Sequence, residues 1–116
     1  MAWLDGGGQV NATFEFVFSD GPASGMTLLM LAMTCGHEGL TEALLQRGAD
    51  VSLQTREGDT ALICAATYGH EKLVELALRH GAAIDQQCNN GDTALSKAAN
   101  NGQPAALRRL LRAGAD

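Results

Sequence analysis

Aromatic residues are scarce in this chain: three Phe, one Trp and one Tyr make up 4% of it. A core without large rings must rest on Leu, Ala, Val and Met. Small side chains of this kind let helices approach closely and weigh against an all-β fold. Charge is also low, at 18% of residues against the usual ~25%. Positive charge is the scarcer sign, with 8 Lys and Arg against 13 Asp and Glu and a net charge of −5. A nucleic-acid binder normally carries a basic face, so none is expected as a partner. The balance shifts along the chain. Residues 1–75 hold ten acids and three bases, and residues 76–116 hold three acids and five bases. The basic end is too sparse for a DNA patch, yet it suits an acidic protein surface.

Cysteines number only three, Cys35, Cys64 and Cys88. An odd count without framework spacing argues against a secreted disulfide scaffold. Free thiols in a reducing cytoplasm or nucleus are the expectation. Long hydrophobic runs are missing: the longest strongly apolar stretch, Leu28–Met33, has six residues, whereas a membrane span needs about 20. Met1–Val10 lacks the basic start and apolar run of a signal peptide. A soluble protein with no membrane partner is predicted. What the chain does have is 46% hydrophobic residues over 116 positions, enough to fill one core and to exclude disorder.

The dominant feature is internal repetition. Shifted by 33, the chain superposes Gly25, Gly58 and Gly91, then Gly36, Gly69 and Gly102, then Gly48, Gly81 and Gly114. Thr27, Thr60 and Thr93 follow the same shift, as do Leu29, Leu62, Leu95 and Ala32, Ala65, Ala98. Residues 25–57 and 58–90 share 14 of 33 positions, and residues 58–83 and 91–116 share 12 of 26. Ordinary residue usage would give roughly two in each comparison.

Each unit has a readable logic. In the middle one, Gly58-Asp59-Thr60 is turn chemistry followed by a helix-starting threonine. Ala61 to Tyr68 reads as a short helix that Gly69 ends in the left-handed conformation. His70 and Glu71 open a second helix, where the acid suits the positive end, and Leu73, Val74, Ala77 and Leu78 recur at helical spacing. Gly81 stops it, and a polar connection leads on to Asn90. Pro104 falls in the first turn of the corresponding third-unit helix, where proline is tolerated. Helices this short cannot bury an apolar stripe alone, so stacking is required.

These units, Gly25-Met-Thr-Leu-Leu with Gly36-His37 and Gly48-Ala49-Asp50, Gly58-Asp-Thr-Ala-Leu with Gly69-His70 and Gly81-Ala82, and Gly91-Asp-Thr-Ala-Leu with Gly114-Ala115-Asp116, resemble ankyrin repeats. The resemblance covers residues 22–116, divided as 22–54, 55–87 and 88–116. It implies an all-α repeat solenoid, a stack of helix-turn-helix units with projecting hairpin loops. The family's usual Thr-Pro-Leu-His is replaced by Thr27-Leu-Leu-Met30, Thr60-Ala-Leu-Ile63 and Thr93-Ala-Leu-Ser96, so the hydrogen bonding its His supplies is missing. Ala83 replaces the common Asp of the Gly-Ala-Asp triplet.

Residues 1–21 lie outside the repeat. Asp5-Gly-Gly-Gly8 is flexible in character, and Val10–Phe18 alternates like a strand and holds Phe14, Phe16 and Phe18. A cap on the first unit, a strand offered to a partner, and a loose tail all fit. At the other end, Ala105, Ala106, Leu107, Leu110 and Leu111 include side chains that a next unit would cover, softened by Arg108, Arg109 and Arg112. A cut from a longer array, a cap made of those arginines, and a docked partner all fit that pattern.

No catalytic constellation is legible, and no enzyme activity, cofactor or metal is expected. Cys-x-x-Cys, His-Glu-x-x-His and phosphate-loop patterns are missing. His37 and His70 share a repeat position, which predicts a structural role: capping the second helix and packing beside the preceding turn. Glu38 and Glu42, like Glu71 and Glu75, read as a solvated helix face. The resemblance implies a non-enzymatic adaptor that binds another protein or peptide through a concave groove of loop tips and first helices. The matching positions are Met26, Arg56, Glu57, Asp59, Asn89, Asn90 and Asp92 at loop tips, and Thr34, Cys35, Thr67, Tyr68, Asn100 and Asn101 at first-helix ends. A polar or partly basic peptide suits that set. The alternative is an assembly element that stacks on further repeats or on its own copy through the C-terminal face.

Overall fold

Three threonines start the three units in the same way. Thr27, Thr60 and Thr93 are extended, and each hydroxyl accepts a hydrogen bond from the amide three residues on: Met30 at 3.2 Å, Ile63 at 3.2 Å and Ser96 at 3.3 Å. This satisfies one of the donors that a helix start leaves open. A computed structural model of the protein describes residues 13–18 and 21–115, with side chains from Thr27 onward. In it the threonines open α1 (Leu28–Cys35), α3 (Ala61–Thr67) and α5 (Ala94–Asn100). Each is followed by a second helix, α2 (Glu38–Gln46), α4 (Glu71–Arg79) and α6 (Pro104–Arg112). The expected pairing of short helices is therefore what forms, with Pro104 at the start of α6.

The turn between the helices of a pair is fixed by a returning amide. His37, His70 and Gln103 donate to the carbonyls of Ala32, Ala65 and Ala98 at 2.9, 3.0 and 2.9 Å. The same closure follows each second helix, where Ala49, Ala82 and Ala115 donate to Leu44, Ala77 and Leu110, each at 3.0 Å. Such a six-to-one bond needs a left-handed residue just before the donor. At the α3–α4 turn that residue is Gly69, with φ +74°.

The first helices stack α1 on α3 on α5, and the second helices follow as an outer row. Alanines mark the closest approach: Ala32, Ala65 and Ala98 are fully buried at one repeat position. Leu44, Ala77 and Leu110 form an equally buried column between the rows. The central helix α3 is enclosed on all sides, since every residue from Ala61 to Ala66 is buried. Burying each of Leu29, Leu62, Leu44, Leu73 and Leu110 is worth about 1.5–3 kcal/mol.

Before the first pair, β1 (Thr13–Phe18) pairs antiparallel with β2 (Gly21–Thr27), with Phe14 opposite Met26, Phe16 opposite Ala23 and Phe18 opposite Gly21. An extra residue in β2 breaks the register between Phe14 and Phe16. The strand expected over Val10–Phe18 is thus present from Thr13, and its partner lies within the chain; Val10–Ala12 and Asp5–Gly8 fall outside the described residues. The hairpin runs directly into the cap residue of α1.

The stack is also tied by side chains that reach back one unit. Thr34 O accepts from His70 Nε2 at 3.0 Å, and Thr67 O accepts from Gln103 Nε2 at 3.1 Å. His37 and His70 make no capping hydrogen bond to their own helices, which corrects the capping half of their expected role. Packing beside the preceding turn holds for His70: a Cβ on Gly36 would stand 2.8 Å from its ring.

Candidate functional site

The loops between units are short closed hairpins of one shape. Thr55 N donates to Asp59 O at 2.9 Å and Gly58 N to Thr55 O at 2.9 Å. One unit on, Cys88 N donates to Asp92 O at 2.8 Å and Gly91 N to Cys88 O at 3.0 Å. A tight turn followed by a left-handed glycine produces this pattern. Neighbouring tips are stitched together. Asn89 donates to Glu57 O from its backbone at 2.8 Å and to Arg56 O from Nδ2 at 2.6 Å. Gly58 permits the approach, because a Cβ there would meet Asn89 N at 2.8 Å. Gln54 Nε2 secures the same turn through Gly58 O at 2.8 Å.

The predicted contact residues divide accordingly. Arg56 and Glu57 stand exposed at one tip. Asn89 and Asn90 are exposed at the next, with their amides in use: Asn90 Oδ1 accepts from Cys88 Sγ at 2.7 Å and from Asp92 N at 3.2 Å. Among the first-helix ends, Cys35, Tyr68, Asn100 and Asn101 are exposed and Thr34 and Thr67 half-buried. Thr67 Oγ1 donates to Ile63 O at 2.7 Å, and Asn101 Nδ2 donates to Lys97 O at 2.8 Å. Met26 is not on a loop tip. It lies in β2 opposite Phe14. The expectation of an exposed first-helix side also needs correction in the middle unit, where burial of Ala61–Ala66 leaves only Thr67 and Tyr68 to face outward.

Between tips and helix ends lies a charged group. Lys97 Nζ is 3.7 Å from Asp92 Oδ2. Asp59 is half-buried, and its Oδ1 has no hydrogen-bond partner among the described residues. Burial raises the Asp59 carboxyl above its ordinary range, with Glu57 and Asp92 adding to the rise and Lys97 opposing it. Lys97 was missed by sequence reasoning. Its signal was a broken column, since the other units place Leu31 and Cys64 at that repeat position. Burial pushes the neighbouring Cys64 thiol up to about 12, so it behaves as a small inert hydrophobe.

Among the described residues, no group of three or more His, Cys, Asp or Glu side chains could hold a metal ion. No helix among them is long and apolar enough to cross a membrane. The arrangement offers hydrogen-bond donors and acceptors, one exposed aromatic ring, and two acids beside one lysine.

No curated protein matches the chain. A family model described as ankyrin repeats, in three copies, matches residues 29–116. Ankyrin repeats are generally protein–protein interaction modules and typically not enzymes. With three stacked helix pairs, their matching caps and their matching hairpin tips in view, this chain belongs to the ankyrin repeat family.

Proposed function

We propose that this chain is a non-enzymatic adaptor of the cytoplasm or nucleus, engaging a partner protein or peptide over its hairpin tips and first-helix ends. Tyr68 carries the reading. It is 55% exposed in a chain whose other large apolar side chains, Leu111 aside, are at least half-covered from Thr27 onward. An exposed aromatic with a polar tip is a frequent anchor of binding energy. At the other end of the same helices, Asp59 and Asp92 outweigh Lys97, so a polar or partly basic segment suits the surface. Arg56, Glu57, Asn89, Asn90, Cys35, Asn100 and Asn101 complete the proposed contact set, with the half-buried Thr34 and Thr67 beneath them and Met26 proposed with them. No cofactor, nucleic acid or membrane enters this reading.

The test is affinity capture from lysate with the wild type and with Tyr68→Ala/Asn100→Ala/Asn101→Ala. All three residues are exposed, and circular dichroism checks that the variant stays folded without the Asn101 bond to Lys97 O. Partners lost by the folded variant support the reading, and partners kept by both place recognition elsewhere. A second reading, an assembly element stacking through the C-terminal face on more repeats or another copy, is favoured by Leu111, which is 54% exposed.

A further inference from the structure

Asn-Asn-Gly occurs twice in the chain, as residues 89–91 at the hairpin tip between the second and third units and as residues 100–102 in the turn between α5 and α6. An asparagine before glycine is prone to lose its side-chain amide, because the glycine nitrogen can reach the carboxamide carbon with no side chain in the way. Local sequence alone makes the two sites equal. Both middle asparagines, Asn90 and Asn101, are exposed. A Cβ on Gly91 or on Gly102 would meet nothing within 4 Å, so no neighbour crowds either glycine. Both glycine amides also close a turn, Gly91 N on Cys88 O at 3.0 Å and Gly102 N on Ala99 O at 3.3 Å, and each must open before it can react. The attacking nitrogen therefore gives no lead to Asn90.

The carboxamide under attack does. Asn90 Oδ1 accepts from Asp92 N at 3.2 Å, two residues on, which folds the side chain forward over the Gly91 peptide. Cys88 Sγ donates to the same oxygen at 2.7 Å. As the Gly91 nitrogen adds to Cγ, negative charge gathers on Oδ1, and two donors are already aimed there. Asn101 is turned the other way. Its Nδ2 donates to Lys97 O at 2.8 Å, one helical turn back, and no hydrogen bond reaches its Oδ1 among the described residues.

We propose that Asn90 is a site of self-modification, losing its amide through Gly91 in the folded chain well ahead of Asn101. Solvent base takes the Gly91 N–H proton, the nitrogen bonds to Asn90 Cγ, and the Cγ–Nδ2 bond breaks as ammonia leaves with a proton from water. Water then opens the five-membered imide at either carbonyl, giving aspartate or isoaspartate at position 90. Either product adds a negative charge to a tip that already holds Asp92 and is bonded to Glu57 O through Asn89. Isoaspartate also lengthens the backbone inside the turn that Cys88 and Asp92 close. Cys88 acts here as a positioning residue. The inference rests on the turn and not on the adaptor reading; if that reading holds, the contact surface becomes more acidic as the protein ages.

The test incubates the full chain at body temperature and mildly alkaline pH. It follows the tryptic peptides of residues 80–97 and 98–108, which separate the two sites. Fragment-ion mass spectrometry places each amide-to-acid change and tells isoaspartate from aspartate. In the folded chain, conversion at Asn90 should run roughly fivefold or more ahead of Asn101. In denaturant the two rates should come together. Cys88→Ala should slow Asn90 roughly threefold without moving Asn101, and Cys88→Ser, which keeps a donor, should restore the rate. Circular dichroism checks that both variants fold; if either does not, folded against denatured wild type decides alone. An Asn90 rate no higher than that of Asn101 in the folded chain overturns the proposal. So does a lead that survives in denaturant, since local sequence then sets it. A folded Cys88→Ala chain that converts as fast as the wild type, or a folded Cys88→Ser chain as slow as Cys88→Ala, overturns it as well.

Discussion

Asp59 is a residue whose cost to the fold can be measured. Its carboxyl is held above the ordinary value of 3.8, first by burial, and Lys97 only partly compensates. As pH rises from 3.8 toward the folded value, the unfolded chain releases its proton first. The native state then binds more protons than the unfolded one, and stability falls with pH through that window. Above it the loss is complete. Asp59→Asn should therefore raise the melting temperature at pH 7, and the gain should shrink as the pH approaches 3.8. Thermal melts at the two pH values decide this; a lowered melting temperature at pH 7 would mean that Lys97 dominates. The sequence placed Asp59 on a loop tip but could not say that one of its oxygens is buried, because Lys97, 38 residues on, joins it only through stacking.

At the scale of elements, each joint between units is tied by one side chain reaching back to a helix end. His70 serves α1 and Gln103 serves α3, at the same repeat position and with bonds of 3.0 and 3.1 Å. The two residue types are thus interchangeable in geometry. His70→Gln should leave stability within about 0.5 kcal/mol, while His70→Ala should cost about 1 kcal/mol, the worth of a lost hydrogen bond with its carbonyl left unpaired. Denaturant melts of both variants check the pair, and equal losses would show that ring packing on Gly36 matters more than the bond. Helix starts and stops were legible in the sequence because threonine caps and left-handed glycines act within a few residues. The bond from His70 to Thr34 was not legible, since its partners lie 36 residues apart.

Across the whole molecule, cover is uneven. Helix α3 lies between α1 and α5 and under α4, with six consecutive buried residues. Helix α6 has a single neighbouring layer and exposes Leu111. In a stack whose stability is a sum over units and joints, the singly covered pair should open first. Hydrogen exchange should find the α3 amides slowest and those of α6 at least tenfold faster; uniform protection would make the stack a single cooperative unit.

The sequence by itself determined the period, the six helices, the threonine caps of the first helices, the turn glycines and the exposure of Tyr68, Arg56, Glu57, Asn89 and Asn90. Those features depend on dihedral preferences and hydrogen bonds among near neighbours, and the 33-residue spacing of identical residues repeats them. Only the tertiary structure decided how exposed polar residues are used. It sets the Asn89 amide on Arg56 O, encloses α3 on every side, brings Lys97 to Asp92 and turns Arg109 onto Glu71. Each of these results depends on how one unit lies upon another, because distance across the stack, not separation along the chain, fixes which groups meet.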